Sequence, residues 1–281
     1  MIDADRFDEL VGGLNHPEGV AWDPTAGCVY AGGEGGEIYR VTLDGEVTQV
    51  GSSGGSMLGV AVDGRGRVYA CDDGNGEIAW WDPATKEVTT YARGVGGEDM
   101  DCPNVAAFGP DGSLYVTCSG EAGRPEILRI APGGGSVERW TDAVPGYPNG
   151  ALVTPDGSAL IVVESRAERL VRVEIDPDGS AGNVSVIAKL PDTDADGVAL
   201  AADGSLWVAL YRPDGLVRIA PDGTVAVVLD DHLAQTFDAP TNMTWVGPML
   251  DRIVVANVGD TFLSIGEVGV SGQPLHYPMF P

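Results

Sequence analysis

Lysine is almost missing from this chain: of 16 basic residues only Lys86 and Lys189 are lysines, against 42 acidic residues and a formal charge of −26. A surface this acidic repels phosphate, which argues against nucleic acid and anionic membrane as partners. No apolar run approaches the roughly 18–20 residues of a membrane span, and the opening MIDADRFDEL is acidic where a secretory leader is basic and then apolar. The expectation is a cytoplasmic, soluble protein. Cysteine is sparse as well. Cys28, Cys71, Cys102 and Cys118 form no C-x-x-C pair, so reduced thiols are expected rather than a disulfide framework. Of the three histidines, His232 and His276 fall in late loops without ligand spacing and read as structural. The sequence has no G-x-S-x-G elbow, which removes support for a serine hydrolase. GGEGGE at 32–37 and APGGGS at 131–136 lack a following helix and a Lys-Ser/Thr, so they are turns and not phosphate loops.

Helical periodicity is missing too, and 41 glycines and 19 prolines disfavour helices throughout. What the chain does have is a repeat. EGVAWDPTAGCVYAGG from Glu18, LGVAVDGRGRVYACDD from Leu58, NVAAFGPDGSLYVTCS from Asn104, NGALVTPDGSALIVVE from Asn149, DGVALAADGSLWVALY from Asp196 and NMTWVGPMLDRIVVAN from Asn242 stack on one another. The spacings are 40, 46, 45, 47 and 46 residues. Each segment has a short apolar run, usually a Gly or Asp-Gly turn, and a second β-rich run. Third and fourth runs such as EILRIA and KEVTTYA follow in most periods. Four strands per period predict a β-propeller, all-β, with six four-stranded antiparallel blades around a central channel. Residues 1–281 read as one domain with blades starting near 18, 58, 104, 149, 196 and 242, and with 6–13 as a ring-closing strand that hides both sheet edges.

The repeat decides how DTDADGVALAAD, residues 192–203, is read. Its D-x-D-x-D-G spacing imitates an EF-hand loop, but β-type segments flank it where helices are needed, and the twelfth position is Asp203 instead of a bidentate Glu. Asp203 aligns with Asp111 and Asp156 and is a hairpin turn residue; Asp192 and Asp194 read as loop charge. Asp196 opens its period. The residues in that first position are Glu18, Leu58, Asn104, Asn149, Asp196 and Asn242, and a propeller brings such positions together around its axis. Five of the six carry side-chain oxygen, a hard donor set suited to Ca²⁺, Mg²⁺ or Mn²⁺. Asx residues also open turns, as at Asn149-Gly150 and Asp196-Gly197. Glu18 has no turn preference, and its place in the column favours a joint function.

These residues also resemble a known family. HPEGVAWD around Glu18, PNVAAFGPDG around Asn104, YPNGALVTPDG around Asn149, DADGVALAADGSLWVA around Asp196 and PTNMTWVG around Asn242 look like the senescence marker protein/gluconolactonase (SMP-30/gluconolactonase/LRE-like) propellers, from about Pro17 to Val270. The resemblance implies that Glu18, Asn149 and Asp196 ligate one divalent ion, with Asn104 a further ligand or a substrate contact. Calcium is the first expectation, with Zn²⁺, Mn²⁺ or Mg²⁺ as alternatives. It implies opening of a sugar lactone or related cyclic ester, the cation polarising the carbonyl and Asp196, another acidic residue or a cation-activated hydroxide taking the proton of water. Family members often carry Arg two residues before the Asn104 position and Asp directly after it. Cys102 and Val105 stand there instead, which leaves a less hydroxylated lactone, an ester or another substrate as the alternatives.

His16, Tyr147, Glu164, Tyr211 and Asn242 are further candidates for the substrate pocket, and His16 reads equally as a surface-loop histidine. Asp99 and Asp101 read as loop charge, and the six tryptophans as packing between blades. The expected partner is a small lactone or ester, with the chain a monomer or weak homo-oligomer. Three other functions use the same architecture: a metal-free condensing enzyme like strictosidine synthase, an organophosphate or aryl esterase on the same site, and a non-catalytic propeller whose ion only pins the blades.

Overall fold

The computed structural model describes residues 1, 2, 4–191, 193–231, 233 and 236–280; Asp192 and His232 therefore lie outside the described residues. The chain forms six four-stranded antiparallel sheets arranged as a six-bladed β-propeller. Blade I contains Val20–Asp23, Cys28–Gly32, Glu37–Thr42 and Val47–Ser52, and blade II contains Met57–Val62, Val68–Asp72, Glu77–Trp81 and Val88–Arg93. Blade III is Pro103–Phe108, Leu114–Cys118, Glu126–Ile130 and Val137–Thr141; blade IV is Pro148–Val153, Ala159–Glu164, Arg169–Ile175 and Ala181–Lys189. Blade V is Asp194–Leu200, Leu206–Arg212, Gly215–Ile219 and Val225–Asp230. Blade VI takes Pro240–Val246, Arg252–Asn257 and Leu263–Gly266 from late in the sequence and its outermost strand, Phe7–Val11, from the start. Phe7 pairs with Gly266 and Asp8 with Ile265, so the ring is hydrogen-bonded shut.

Inner strands are buried on both faces, whereas an outer strand such as Val47–Ser52 is largely exposed. This is why the inner strands read as continuous apolar runs and the outer ones do not. The core is six wedges, each filled by two neighbouring blades. Tyr30 and Trp81 pack between blades I and II, and Tyr115 and Trp140 meet Val153 and Leu160 between III and IV. Trp207 and Trp245 pack edge to face between V and VI, ring centroids 6.1 Å apart.

At one end of the channel the inner strands approach backbone to backbone. A Cβ at Gly19 would sit 2.2 Å from the Leu58 carbonyl oxygen, and one at Gly150 would sit 2.3 Å from that of Asp196. Glycine therefore follows the first-position residue in blades I, II, IV and V. The close approach draws the first-position side chains together around the axis.

The other end is covered by the segment 271–280. Gln273 N–H donates to the Leu200 carbonyl, Gly64 N–H donates to the Pro278 carbonyl, and His276 Nε2 donates to the Thr154 carbonyl. Phe280 completes the wedge between blades II and III. Among the described residues no helix is long and apolar enough to cross a membrane.

Candidate functional site

The open end of the channel is a cavity of about 440 Å³, within the ordinary range for small-molecule sites. Glu18, Asn104, Asn149 and Asp196 all line it, together with Leu58 and Thr241. These are the starts of the six inner strands. Because the second strand of each blade runs antiparallel to the first, its end arrives at the same mouth. The residues at or just beyond that end supply Asp73, Glu121, Ser165, Arg166, Tyr211 and Val258.

Hydroxyl groups clip one blade to the next at this level. Thr241 Oγ1 donates to the Glu18 carbonyl (2.7 Å), Thr117 Oγ1 to that of Asn149 (2.8 Å), and Ser165 Oγ to that of Ala195 (2.6 Å). Asn104 is oriented by its amide, whose Nδ2 donates to Ser119 Oγ at 3.0 Å. Its carbonyl oxygen is left over. Asn104 Oδ1, Asn149 Oδ1 and Asp196 Oδ1 are all buried without a hydrogen-bond partner. These residues are only 3%, 4% and 8% exposed, and an unpaired buried acceptor costs about 1–3 kcal/mol.

The carboxylates are also under strain of charge. Burial raises the Glu18 pKa well above its ordinary value, and the neighbouring Asp196, Asp73 and Glu34 add to it. Burial raises Asp196 as well, opposed by the Asn149 amide. Asp73 is raised by burial and by Glu121, while a hydrogen bond from the Cys102 thiol lowers it. None of Glu18, Asp73, Glu121, Asp194 and Asp196 forms an ion pair with a described residue. The arrangement fits a divalent cation. Two carboxylates would offset its charge and two orphaned amide oxygens would complete a hard donor set. The described residues contain no cluster of three or more His, Cys, Asp and Glu side chains able to hold a metal, so such a site depends on the two asparagines.

Several sequence-based candidates sit elsewhere. Asn242 is displaced by one residue: the first-position residue of blade VI is Thr241, and Asn242 lines the cavity at the covered end of the channel. Strand side chains alternate in direction, so a slip of one residue sends the side chain elsewhere. The Pro-Asn pairs at 103–104 and 148–149 set beside Pro240-Thr241 carry the correct register. Glu164 is withdrawn from the mouth, since Gly146 N–H donates to its Oε1 at 2.7 Å and Arg169 Nε to its Oε2 at 2.5 Å. His16 stands behind the lining, its Nδ1 donating to the Val258 carbonyl at 2.9 Å. Tyr147 and Tyr211 do line the mouth. Tyr147 donates to Glu121 Oε1 at 3.3 Å, and its ring lies 4.5 Å from the Arg166 Cζ.

Sequence reasoning missed Asp73, Glu121 and Arg166, and it took Asp194 for loop charge although this residue begins the inner strand of blade V and lines the mouth. For Asp73 the signal was a second column: Asp73, Ser119, Ser165, Tyr211 and Val258 recur at the ends of second strands. Asp101 is a buried organiser, accepting from the backbone N–H groups of Ala122 (2.9 Å) and Arg124 (2.8 Å) and so shaping the loop that carries Glu121. Of the two departures from the sugar-lactonase pattern, Cys102 faces the mouth, whereas Val105 lines the cavity at the covered end. All four cysteines are free and buried.

Residues 16–258 match the family model described as the SMP-30/Gluconolactonase/LRE-like region. The chain is 36% identical over 90 residues to an L-arabinolactonase of Azospirillum brasilense, covering 31% of this chain and 30% of that protein. It is 25% identical over 229 residues to strictosidine synthase-like protein 6 of Arabidopsis thaliana, covering 74% of this chain and 59% of that one. The chain spans 30 to 59% of the length of the curated relatives it matches. Among solved structures, a gluconolactonase of Xanthomonas campestris superposes with a TM-score of 0.80 at 20% identity, covering 93% of this chain and 89% of that one, a likeness of fold.

Proposed function

Because this chain belongs to the SMP-30/gluconolactonase/LRE-like family, we propose that it is a hydrolase that opens a lactone or related cyclic ester with the help of one divalent ion. The observation that carries this reading is the set of three buried, unpaired oxygens on Asn104, Asn149 and Asp196, facing one mouth beside the raised carboxyl of Glu18. Glu18, Asn149 and Asp196 would hold the ion, with Asn104 as fourth donor or substrate contact. A bound divalent ion supplies positive charge where the lactone carbonyl oxygen turns negative as water attacks.

The remaining work falls to the chain itself. Asp196 takes the proton as the water oxygen bonds to the acyl carbon, and the proton passes to the ring oxygen when the acyl–oxygen bond breaks. Burial holds this carboxyl above the usual Asp range, closer to where a general base works at neutral pH. Tyr147 and Leu58 complete the wall of the cavity. A metal-free condensing reaction leaves the three oxygens without a partner, so hydrolysis is the better reading.

A pH-indicator screen over aldonolactones, simple γ-lactones and aryl esters, with and without chelator, tests it. Turnover of at least one lactone is expected, abolished by chelator and lowered by about 10²-fold or more in Asp196→Asn. Full turnover in chelator contradicts it.

A further inference from the structure

The mouth is lopsided in its hydrogen-bonding chemistry. Nearly every side-chain donor on its wall is already spent on the protein. Asn104 Nδ2 is given to Ser119 Oγ, Thr241 Oγ1 to the Glu18 carbonyl, Ser165 Oγ to the Ala195 carbonyl, and Tyr147 Oη to Glu121. The Cys102 thiol is given to Asp73 and the Asn149 amide to Asp196. What remains is Arg166, whose guanidinium lies over the Tyr147 ring, and the hydroxyl of Tyr211 at the rim.

Acceptors, in contrast, are in surplus. Five carboxylates and two orphaned amide oxygens face the cavity. A divalent ion offsets two of the five negative charges and Arg166 one more, so the loaded mouth is still anionic. The excess is on the blade II–III side, where Asp73 and Glu121 both line the cavity and the Glu121 carboxylate opposes ionisation of Asp73.

We propose that this site selects a substrate whose non-reacting part carries a protonated amine, bound by Asp73 and its neighbouring carboxylates, and that it rejects substrates bearing a carboxylate or phosphate. The proposal rests on the lactone-opening reading and adds a substrate class to it. An ammonium supplies three donors and the missing positive charge at once, whereas an anion finds only Arg166. The same field drives out the product, because ring opening creates a carboxylate inside an anionic mouth.

The test separates recognition from chemistry. Five-membered lactams carrying an aminomethyl or a carboxylate group bind without being hydrolysed, and calorimetry on the Ca²⁺-loaded protein measures both. The ammonium-bearing lactam is expected to bind about tenfold or more tightly than the carboxylate-bearing one. The ratio should shrink as salt is raised from about 20 to about 500 mM, and Asp73→Asn should reduce it several-fold while circular dichroism confirms the fold. Equal binding, tighter binding of the anion, no binding of either, or a ratio unmoved by Asp73→Asn overturns the proposal. Hydrolysis of the matching lactones is read separately. Turnover without ammonium preference leaves the lactonase reading standing, and ammonium-selective lactam binding without turnover of any lactone does the opposite.

Discussion

At the scale of single residues the site holds buried, unpaired oxygens and a raised carboxyl, a cost that the proposed ion would relieve. A raised carboxyl at Glu18 means that, between the ordinary carboxylate range and its folded value, the native chain holds a proton that the unfolded chain has lost. Stability attributable to this group therefore falls as pH rises through that window. In chelator, Glu18→Gln should accordingly gain on the wild type as pH goes from about 5 to about 8, read as Tm differences of a few degrees. With Ca²⁺ present the order reverses, because only the wild type gains stability from the ion. Parallel Tm series at the two conditions check both signs. Glu18, Asn104, Asn149 and Asp196 were legible in the sequence because a 45-residue repeat marks them. Asp73 was marked only by the column at the second-strand ends, and Glu121 and Arg166 were not marked, since they sit in loops whose composition carries no strand pattern. The thiols give a second residue-scale prediction. Burial raises all four, Cys102 to about 12. A disulfide-exchange reagent should find no fast-reacting thiol in the native protein between about pH 7 and 9 and four after denaturation.

Strands and their junctions set the geometry of those residues. The column depends on inner strands packed so closely that no Cβ fits at Gly150, where the obstructing atom is the backbone oxygen of Asp196 itself. Gly150→Ala should displace that backbone, destabilise the protein by about 1–3 kcal/mol as overpacking does, and weaken ion binding beyond what stability alone explains. Denaturant unfolding with calorimetric ion titration separates the two effects. Strand identity was readable from alternating turns and β-branched runs, and the six blades follow from it. Register at blade VI was not. Repeat alignment matched NMTWV to DGVAL and placed Asn242 in the column, whereas Asn242 is the counterpart of Gly197 and Thr241 takes the column position. A one-residue ambiguity is cheap in an alignment and complete in a strand.

On the scale of the whole molecule, the propeller has one open end. The strand Phe7–Val11 closes the ring through blade VI, and 271–280 crosses the far end, with Gly272 lying against the Trp245 ring. Ending the chain after Val270 should lower Tm by several degrees and raise the accessibility of Trp245 to a neutral quencher, while the mouth retains its ion. The repeat announced a channel, but nothing in the apolar and proline-containing stretch QPLHYPMF showed that it would be the cover. An acidic molecule with one open, acceptor-lined mouth suits the proposed cation, and that proposal is the claim most open to direct measurement. Chelated protein titrated with Ca²⁺, Mn²⁺ or Zn²⁺ should take up one ion per chain, with lactone opening restored in step with occupancy and neither event seen in Asp196→Asn. Opening at full rate before any ion is added, or full occupancy without opening of any lactone, contradicts the account.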